Sequence, residues 1–290
     1  MLELSDPAWS RLTTAYGEGD EAAELLRRLR PDAANGELRQ ELIELLLHQG
    51  TIYASTLAAM PYLADMAEKA GDEEALIDLY IAGGMMTAGR EGESGEPVER
   101  SGEFRRSRQG ELDAKIVRSI AAGWREGVSR LAALHERAAR QALKAVQAGS
   151  AEAVYLLAAH AAYAGHAEAA RLLFEGPAGD EYAGICPSCG ADWYVRPEAG
   201  GSRSEGEPER WVVYTDDPVM PGTDGLPSAD VRPAAQAELR PALRMLGSEA
   251  RRLGARRLAR AIPSLDGRAS CPACGREASV WEALTAWRRT

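Results

Sequence analysis

Large rings are scarce: aromatic residues make up 6% of 290 positions and phenylalanine occurs twice, so most of the core has to come from leucine and alanine. Histidine occurs four times and does not gather into a site. His48 precedes a turn glycine, where capping of helix carbonyls is the expected role. His135 falls on a polar helical face, and His160 and His166 lie on either side of Gly165 with no acid pair beside them. No G-x-S-x-G, H-E-x-x-H or phosphate-cradling glycine loop occurs, which excludes those hydrolase, zinc-protease and nucleotide-binding signatures. The acid pairs Glu73-Glu74 and Asp216-Asp217 read as helix N-terminal and loop chemistry. No residue is assigned a catalytic role, and the protein is expected not to be an enzyme. Long apolar runs are missing as well. The longest charge-free stretch, residues 45–64, contains His48, Gln49, Gly50, Thr51, Ser55, Thr56 and Pro61, which fits two buried helices and a turn better than a membrane span. The first residues, Met1-Leu2-Glu3-Leu4-Ser5-Asp6, carry acids where an export signal has bases. All four cysteines sit in two C-x-x-C pairs with none left over. A reducing, cytoplasmic setting is therefore expected, with no membrane association.

What is present is an ordinary globular composition, 45% hydrophobic and 27% charged, long enough for one large or two modest domains. The formal charge of -10 is uneven. Residues 1–180 carry 19 basic and 29 acidic side chains, whereas residues 181–290 carry 15 of each. Within the neutral part, residues 231–276 hold ten arginines and three acids. A polyanion would have to meet the protein there.

The first half reads as short helices. Asp6-Pro7 is a cap followed by proline at the first helical position, and Trp9, Leu12 and Tyr16 then recur at helical spacing up to Gly17. Asp20 opens a second segment with Ala23, Leu26 and Leu29, ended by Pro31. Asn35 precedes the stripe Leu38, Leu42, Leu45 and Leu46, with Glu37, Arg39, Gln40, Glu41 and Glu44 on the other face. Thr51 opens a fourth helix that Pro61 should kink. Asp72 begins a fifth, loosening at Gly83-Gly84. Residues 89–110 contain five glycines and no apolar period, as in a mobile surface loop. Helix resumes near Leu112 and runs through Trp124 and Leu143 towards Gly149, and a further pair covers 151–164 and 166–175. Single helices of this kind are unstable alone and should stack in antiparallel pairs. The expected fold is mainly α: an α-solenoid followed in the chain by a small C-terminal β zinc ribbon with a helical insertion.

The residues His48-Gln49-Gly50-Thr51, followed by Met60-Pro61-Tyr62-Leu63, resemble a bacterial group of HEAT-like helical-repeat proteins, over roughly residues 5–90. Those proteins show a histidine-glutamine-glycine-threonine turn before a proline-kinked helix. The resemblance implies a binding scaffold, contributes no catalytic residue, and includes proteins that accompany bacterial toxins as neutralising partners. No clean repeat continues after Gly89. The expected organisation is HEAT-like repeats over 1–88, a flexible loop at 89–110, a helical continuation over 111–178, and the ribbon over 179–290.

Cys186-Pro187-Ser188-Cys189-Gly190 and Cys271-Pro272-Ala273-Cys274-Gly275 are two copies of one knuckle. Each puts two thiolates on a tight turn, with a glycine able to take the left-handed conformation. The motif resembles the rubredoxin-type knuckle of zinc ribbons. Cys186, Cys189, Cys271 and Cys274 are the expected ligands of one structural Zn2+, a closed site with no position for water. Iron in an electron-transfer role is the alternative that thiolate ligation leaves open, and a redox-active C-x-x-C is a third. The span from Cys189 to Cys271 far exceeds the usual spacing of about 15–20 residues, so sequence has been inserted. Trp193-Tyr194-Val195 and Trp211-Val212-Val213-Tyr214 read as a hairpin. Residues 216–230 lack a period, and 232–262 turns helical, with Pro241 expected to kink or divide it. Four of the six tryptophans fall in this part, where a small β unit needs bulky side chains.

Arg244, Arg251, Arg252, Arg256 and Arg257 lie on the inserted helix. They are expected either to pair with the protein's own acidic half or to contact nucleic-acid phosphates. The absence of lysine after residue 180 favours geometry-specific pairing. The function expected is that of a non-catalytic scaffold whose helical-repeat surface meets a protein partner, a bacterial toxin being one example. Nucleic-acid binding through the arginine helix and the ribbon is the alternative.

Overall fold

In the computed structural model, the described residues are 1–90, 97–105, 112–145, 151–176, 181–198, 209–218 and 227–286. Helix accounts for 59% and strand for 12%, so the fold is mainly α with small antiparallel sheets. The chain divides into two compact units, residues 1–145 with 158–171, and residues 146–157 with 172–290.

The first unit opens with a 3₁₀ turn, Pro7–Arg11, capped by the Asp6 side chain. This turn is shorter than the helix expected up to Gly17. Helix α1 (Asp20–Leu29) follows, then α2 (Gly36–Leu46), whose Asn35 side chain accepts from the Leu38 amide. The helix stops at Leu46, where its apolar stripe ends, rather than running on to Gly50. Strands β1 (Leu47–His48) and β2 (Thr51–Ile52) then form a two-residue hairpin. Gln49 and Gly50 both take positive φ, 50° and 76°, as the tightest hairpin turns require. His48 is therefore a strand residue rather than a helix cap. Its Nδ1 lies 3.1 Å from the hydroxyl of exposed Tyr16.

Helix α3 (Ala54–Lys69) is the hub of this unit, packing on α1, on α4 (Glu73–Gly89) and on α6 (Ala114–Ala133). It is buried on nearly every face from Ala54 to Ala67, which explains why its sequence reads as almost uniformly apolar. A Cβ on Gly127 would lie within 2.9 Å of the Met60 backbone, so small residues set how closely α6 crosses α3. The exposed end of α3 is held by charge. Arg130 pairs with Glu68 at 2.5 Å, and Arg137 donates to the Glu68 and Ala70 carbonyls, which are left over where the helix ends.

Two polar residues sit deeper than the sequence implies. Arg39, assigned to the outer face of α2, is 2% exposed. It occupies the core-facing row with Leu42 and Leu46, and its guanidinium donates to Asp78 at 2.7 and 3.0 Å and to the Ala33 carbonyl. The cation is tolerated inside because these partners satisfy it. His135 is also buried, not on a polar face. It opens α7 (His135–Ala145), the long expected helix being divided at Leu134, and it stacks on His160 with ring centroids 3.7 Å apart.

Within 89–110, residues 91–96 and 106–110 lie outside the described residues. Residues 97–105 hold a 3₁₀ turn, Val98–Arg100, and the short α5 (Gly102–Arg105). Val98 joins the apolar core and Phe104 packs against it, which anchors a stretch that composition alone marks as loop. Helices α8 (Ala151–Tyr163) and α9 (Ala167–Glu175) follow, separated by Gly165 at φ 81°.

The second unit has a four-stranded antiparallel sheet in the order β3 (Tyr182–Ile185), β4 (Asp192–Pro197), β5 (Trp211–Tyr214), β6 (Ser228–Asp230). The expected pairing of the two aromatic runs is present, with Tyr194 opposite Tyr214 and Val195 opposite Val213. The expected single helix over 232–262 is instead α10 (Pro241–Arg252) and α11 (Arg256–Leu265). Pro241 does not kink a helix but starts one, at the position where its missing N–H costs nothing. A hairpin of β7 (Arg268–Ser270) and β8 (Glu277–Ser279), then α12 (Val280–Ala286), complete the unit. Trp193, Trp211 and Trp281 are buried in it; Trp287 lies outside the described residues.

Helix α4 runs unbroken through Gly83-Gly84, where loosening is expected from composition. A Cβ on Gly84 would sit 2.3 Å from the Ala159 Cβ and 2.5 Å from its Cα, so this glycine is a site of backbone contact with α8. In an open helix, Gly→Ala stabilises by about 1 kcal/mol. Here Gly84→Ala should destabilise by about 1–3 kcal/mol in urea unfolding through overpacking, and a rise in stability would show that α8 does not pack there.

Candidate metal centre

Each knuckle is the tip of an antiparallel hairpin, β3–β4 for Cys186 and Cys189 and β7–β8 for Cys271 and Cys274. The two are built alike. The Cys186 amide donates to the Ala191 carbonyl and the Cys271 amide to the Arg276 carbonyl, both at 2.8 Å. The turns close through Gly190 to Cys186 at 2.9 Å and Gly275 to Cys271 at 2.8 Å. Gly190 and Gly275 take φ 76° and 72°, a conformation that costs a residue with a Cβ. Strands β7 and β8 have little β propensity. The knuckles impose the pairing of residues such as Arg268-Ala269-Ser270 with Glu277-Ala278-Ser279.

The two hairpins are linked through an isolated bridge just after β6. Arg232 and Arg268 exchange backbone hydrogen bonds at 2.8 and 3.0 Å. This approach depends on Gly267, where a Cβ would lie 2.5 Å from the Arg232 carbonyl oxygen.

The result is that the Sγ atoms of Cys186, Cys189, Cys271 and Cys274 all lie within 4.8 Å of one another. The Cys189 and Cys271 sulfurs are 3.9 Å apart. Tetrahedral thiolates at about 2.3 Å from a central zinc would be spaced by roughly 3.8 Å, so the four sulfurs fit such an ion. One cysteine of each knuckle, Cys186 and Cys271, is buried, and the other, Cys189 and Cys274, is exposed. Among the described residues this is the one group of His, Cys, Asp or Glu side chains close enough to hold a metal.

Trp193 on β4 donates its indole N–H to the Cys271 sulfur at 3.4 Å. The sequence marks this residue as a strand aromatic, and its place soon after the first knuckle is the signal that it reaches the sulfurs. Burial pushes the Cys271 thiol up, but the Trp193 N–H and the amides of Cys274 and Ala273 outweigh it and bring it down to about 6. Cys189 moves the other way. The Ala191 amide favours its thiolate, yet lost hydration and hydrogen bonds with the other three cysteines push it up to about 12. Cys271 thus takes a negative charge readily and Cys189 resists one, a resistance that a bound dication would relieve.

The arginines singled out in the sequence do not join this cluster. Arg244, Arg251 and Arg252 lie on α10 and Arg256 and Arg257 on α11, all exposed. Arg244 donates to the Leu239 carbonyl at 2.7 Å and Arg252 pairs with Glu249 at 2.6 Å. Arg240, just before α10, pairs with Asp266 at 2.5 Å and lies over the Trp281 ring.

No family model matches the chain, and no curated protein or solved structure matches it. No helix among the described residues is long and apolar enough to cross a membrane. Fold and site together define a mainly helical protein with a four-cysteine cluster able to hold a metal ion.

Elemental analysis should find one metal ion per chain, and Cys186→Ser or Cys271→Ser should remove it; full metal content in either variant would contradict a four-sulfur site. Trp193→Phe keeps the ring and loses the N–H, and should weaken metal affinity by about 10–100-fold in a chelator competition. Affinity should also fall as pH falls, because protons compete for the thiolates; a flat pH profile would speak against thiolate ligation.

Proposed function

We propose that the protein is a non-catalytic binding scaffold whose helical unit meets a basic protein partner and whose second unit is folded around one structural zinc ion. The observation that carries the partner reading is the outer face of α2. Glu37, Glu41 and Glu44 line it, exposed, while the helix's only cation, Arg39, is turned inward to Asp78. The face has no counter-charge within its own helix, and the chain's whole formal charge of -10 resides in residues 1–180. Such a field accelerates and orients the approach of a positively charged partner. The packing of α1 to α4 is consistent with HEAT-like pairs and a solenoid, and the resemblance of residues 5–90 makes neutralisation of a basic toxin the specific case.

Zinc is the proposed ion because four thiolates in a closed tetrahedron leave no position for water and suit a structural role. Free thiols of this kind belong to a reducing compartment, in keeping with a cytoplasmic protein.

The experiment is charge reversal of the α2 face. Cross-linking in the native host, with and without Glu37→Lys, Glu41→Lys and Glu44→Lys together, should show a basic partner captured by the parent and lost by the variant, with the circular dichroism unchanged. Equal capture by both would exclude this face, and an acidic partner would contradict the charge argument.

A further inference from the structure

We propose that the corner between α10 and α11 is a binding surface for the phosphate backbone of duplex DNA. This is independent of the protein-partner reading, which rests on the other unit.

The corner is rigid. Helices α10 and α11 pack together through buried Leu243, Leu246, Ala250, Leu258 and Ile262. The link between them is fixed by Leu253 donating to the Glu249 carbonyl at 2.9 Å and Ala255 to the Ala250 carbonyl at 2.8 Å, with Gly254 at φ 70°. Most of the leucine and isoleucine side chains of these helices are buried in this way. The outside is arginine: Arg251 and Arg252 end α10, and Arg256, Arg257 and Arg260 fall in the first turns of α11.

The acids of this region are engaged elsewhere. Glu249 holds Arg252, and Asp266 holds Arg240. Among the described residues no carboxylate lies within ion-pair distance of Arg251, Arg256 or Arg260. One of these cations also opposes the local field. Arg256 opens α11, where the helix end is already positive, with no acidic residue in the first turn and no side-chain cap. An arrangement that works against folding, kept on a well-packed scaffold, is the mark of a site awaiting an anion. Guanidinium forks match phosphate oxygens in pairs, and every cation here is an arginine.

The surroundings select among polyanions. The only aromatic residue between 227 and 286 is Trp281, which is buried, so there is no platform on which single-strand bases could stack. The described residues of this unit expose no large hydrophobic side chain, which leaves nothing to enter a lipid surface. A short exposed helix with a basic face fits the width of the DNA major groove, whereas that of duplex RNA is too narrow to admit it.

The test is fluorescence anisotropy of a short labelled DNA duplex with the full metal-loaded chain over a salt series. With about four phosphates contacted, affinity should fall roughly 100-fold between 50 and 200 mM salt. Arg251→Gln with Arg256→Gln should weaken binding and lower the magnitude of the log–log salt slope by about 2. Metal content and circular dichroism show that the variant is folded, as expected for exposed positions. Salt-independent binding, unchanged binding by the variant, or binding only to duplex RNA or to phosphatidylserine vesicles would overturn the proposal.

Discussion

The second unit depends on one meeting. Cys189 and Cys271 are 82 positions apart in the chain and their sulfurs are 3.9 Å apart. Everything between them has to leave the first knuckle and return to the second without a gap. Closing a loop of that length has an entropic cost, but one that grows only slowly with length, so a long insertion is tolerated when a strong cross-link fixes its ends. A metal held by four thiolates supplies such a link, and its binding free energy becomes folding free energy. The shape of the insertion follows from that demand. Strands β5 and β6 extend the sheet away from the first knuckle, α10 and α11 turn the chain around, and the Arg232–Arg268 bridge returns it to the second.

The first unit has no such link and is held by ordinary burial. Its hub, α3, is surrounded on nearly all sides, so that alanines and glycines at the crossings with neighbouring helices matter as much as the leucines. Several of its interior polar groups are satisfied, although the hydroxyls of Thr13, Ser55 and Ser101 find no partner among the described residues. Arg39 meets Asp78, the Tyr62 hydroxyl meets the Leu2 carbonyl at 2.6 Å, and the Trp9 indole meets the Glu3 carbonyl at 3.0 Å. Under the proposed scaffold role, the charge left on the outside of α2 would act on a partner.

What was legible in the sequence is what is local. Caps such as Asp6, Asn35 and Asp72 mark starts within a few residues, and each knuckle is complete within five positions. The hairpin at residues 47–52 was hidden because the apolar stripe of α2 runs straight into it, and only the positive φ of two adjacent residues reveals the turn. Gly83-Gly84 looked like a break because a glycine that loosens a helix and one that admits a neighbour have the same spelling; the difference is Ala159, far along the chain. Arg39 and His135 were misplaced for a similar reason, since their partners Asp78, Tyr80 and His160 lie on other helices. Strands β6, β7 and β8 have no β-branched residue, and their pairing comes from the knuckles and the sheet rather than from propensity.

The central claim is that a metal held by the four cysteines organises the second unit and not the first. Hydrogen exchange read by mass spectrometry, before and after chelation under reducing conditions, tests it most directly. The account predicts that amides of 182–198, 211–214 and 241–286 lose protection together when the metal is removed, while those of α3, α4 and α6 keep theirs. Protection of the second unit that survives complete removal of the metal would contradict it.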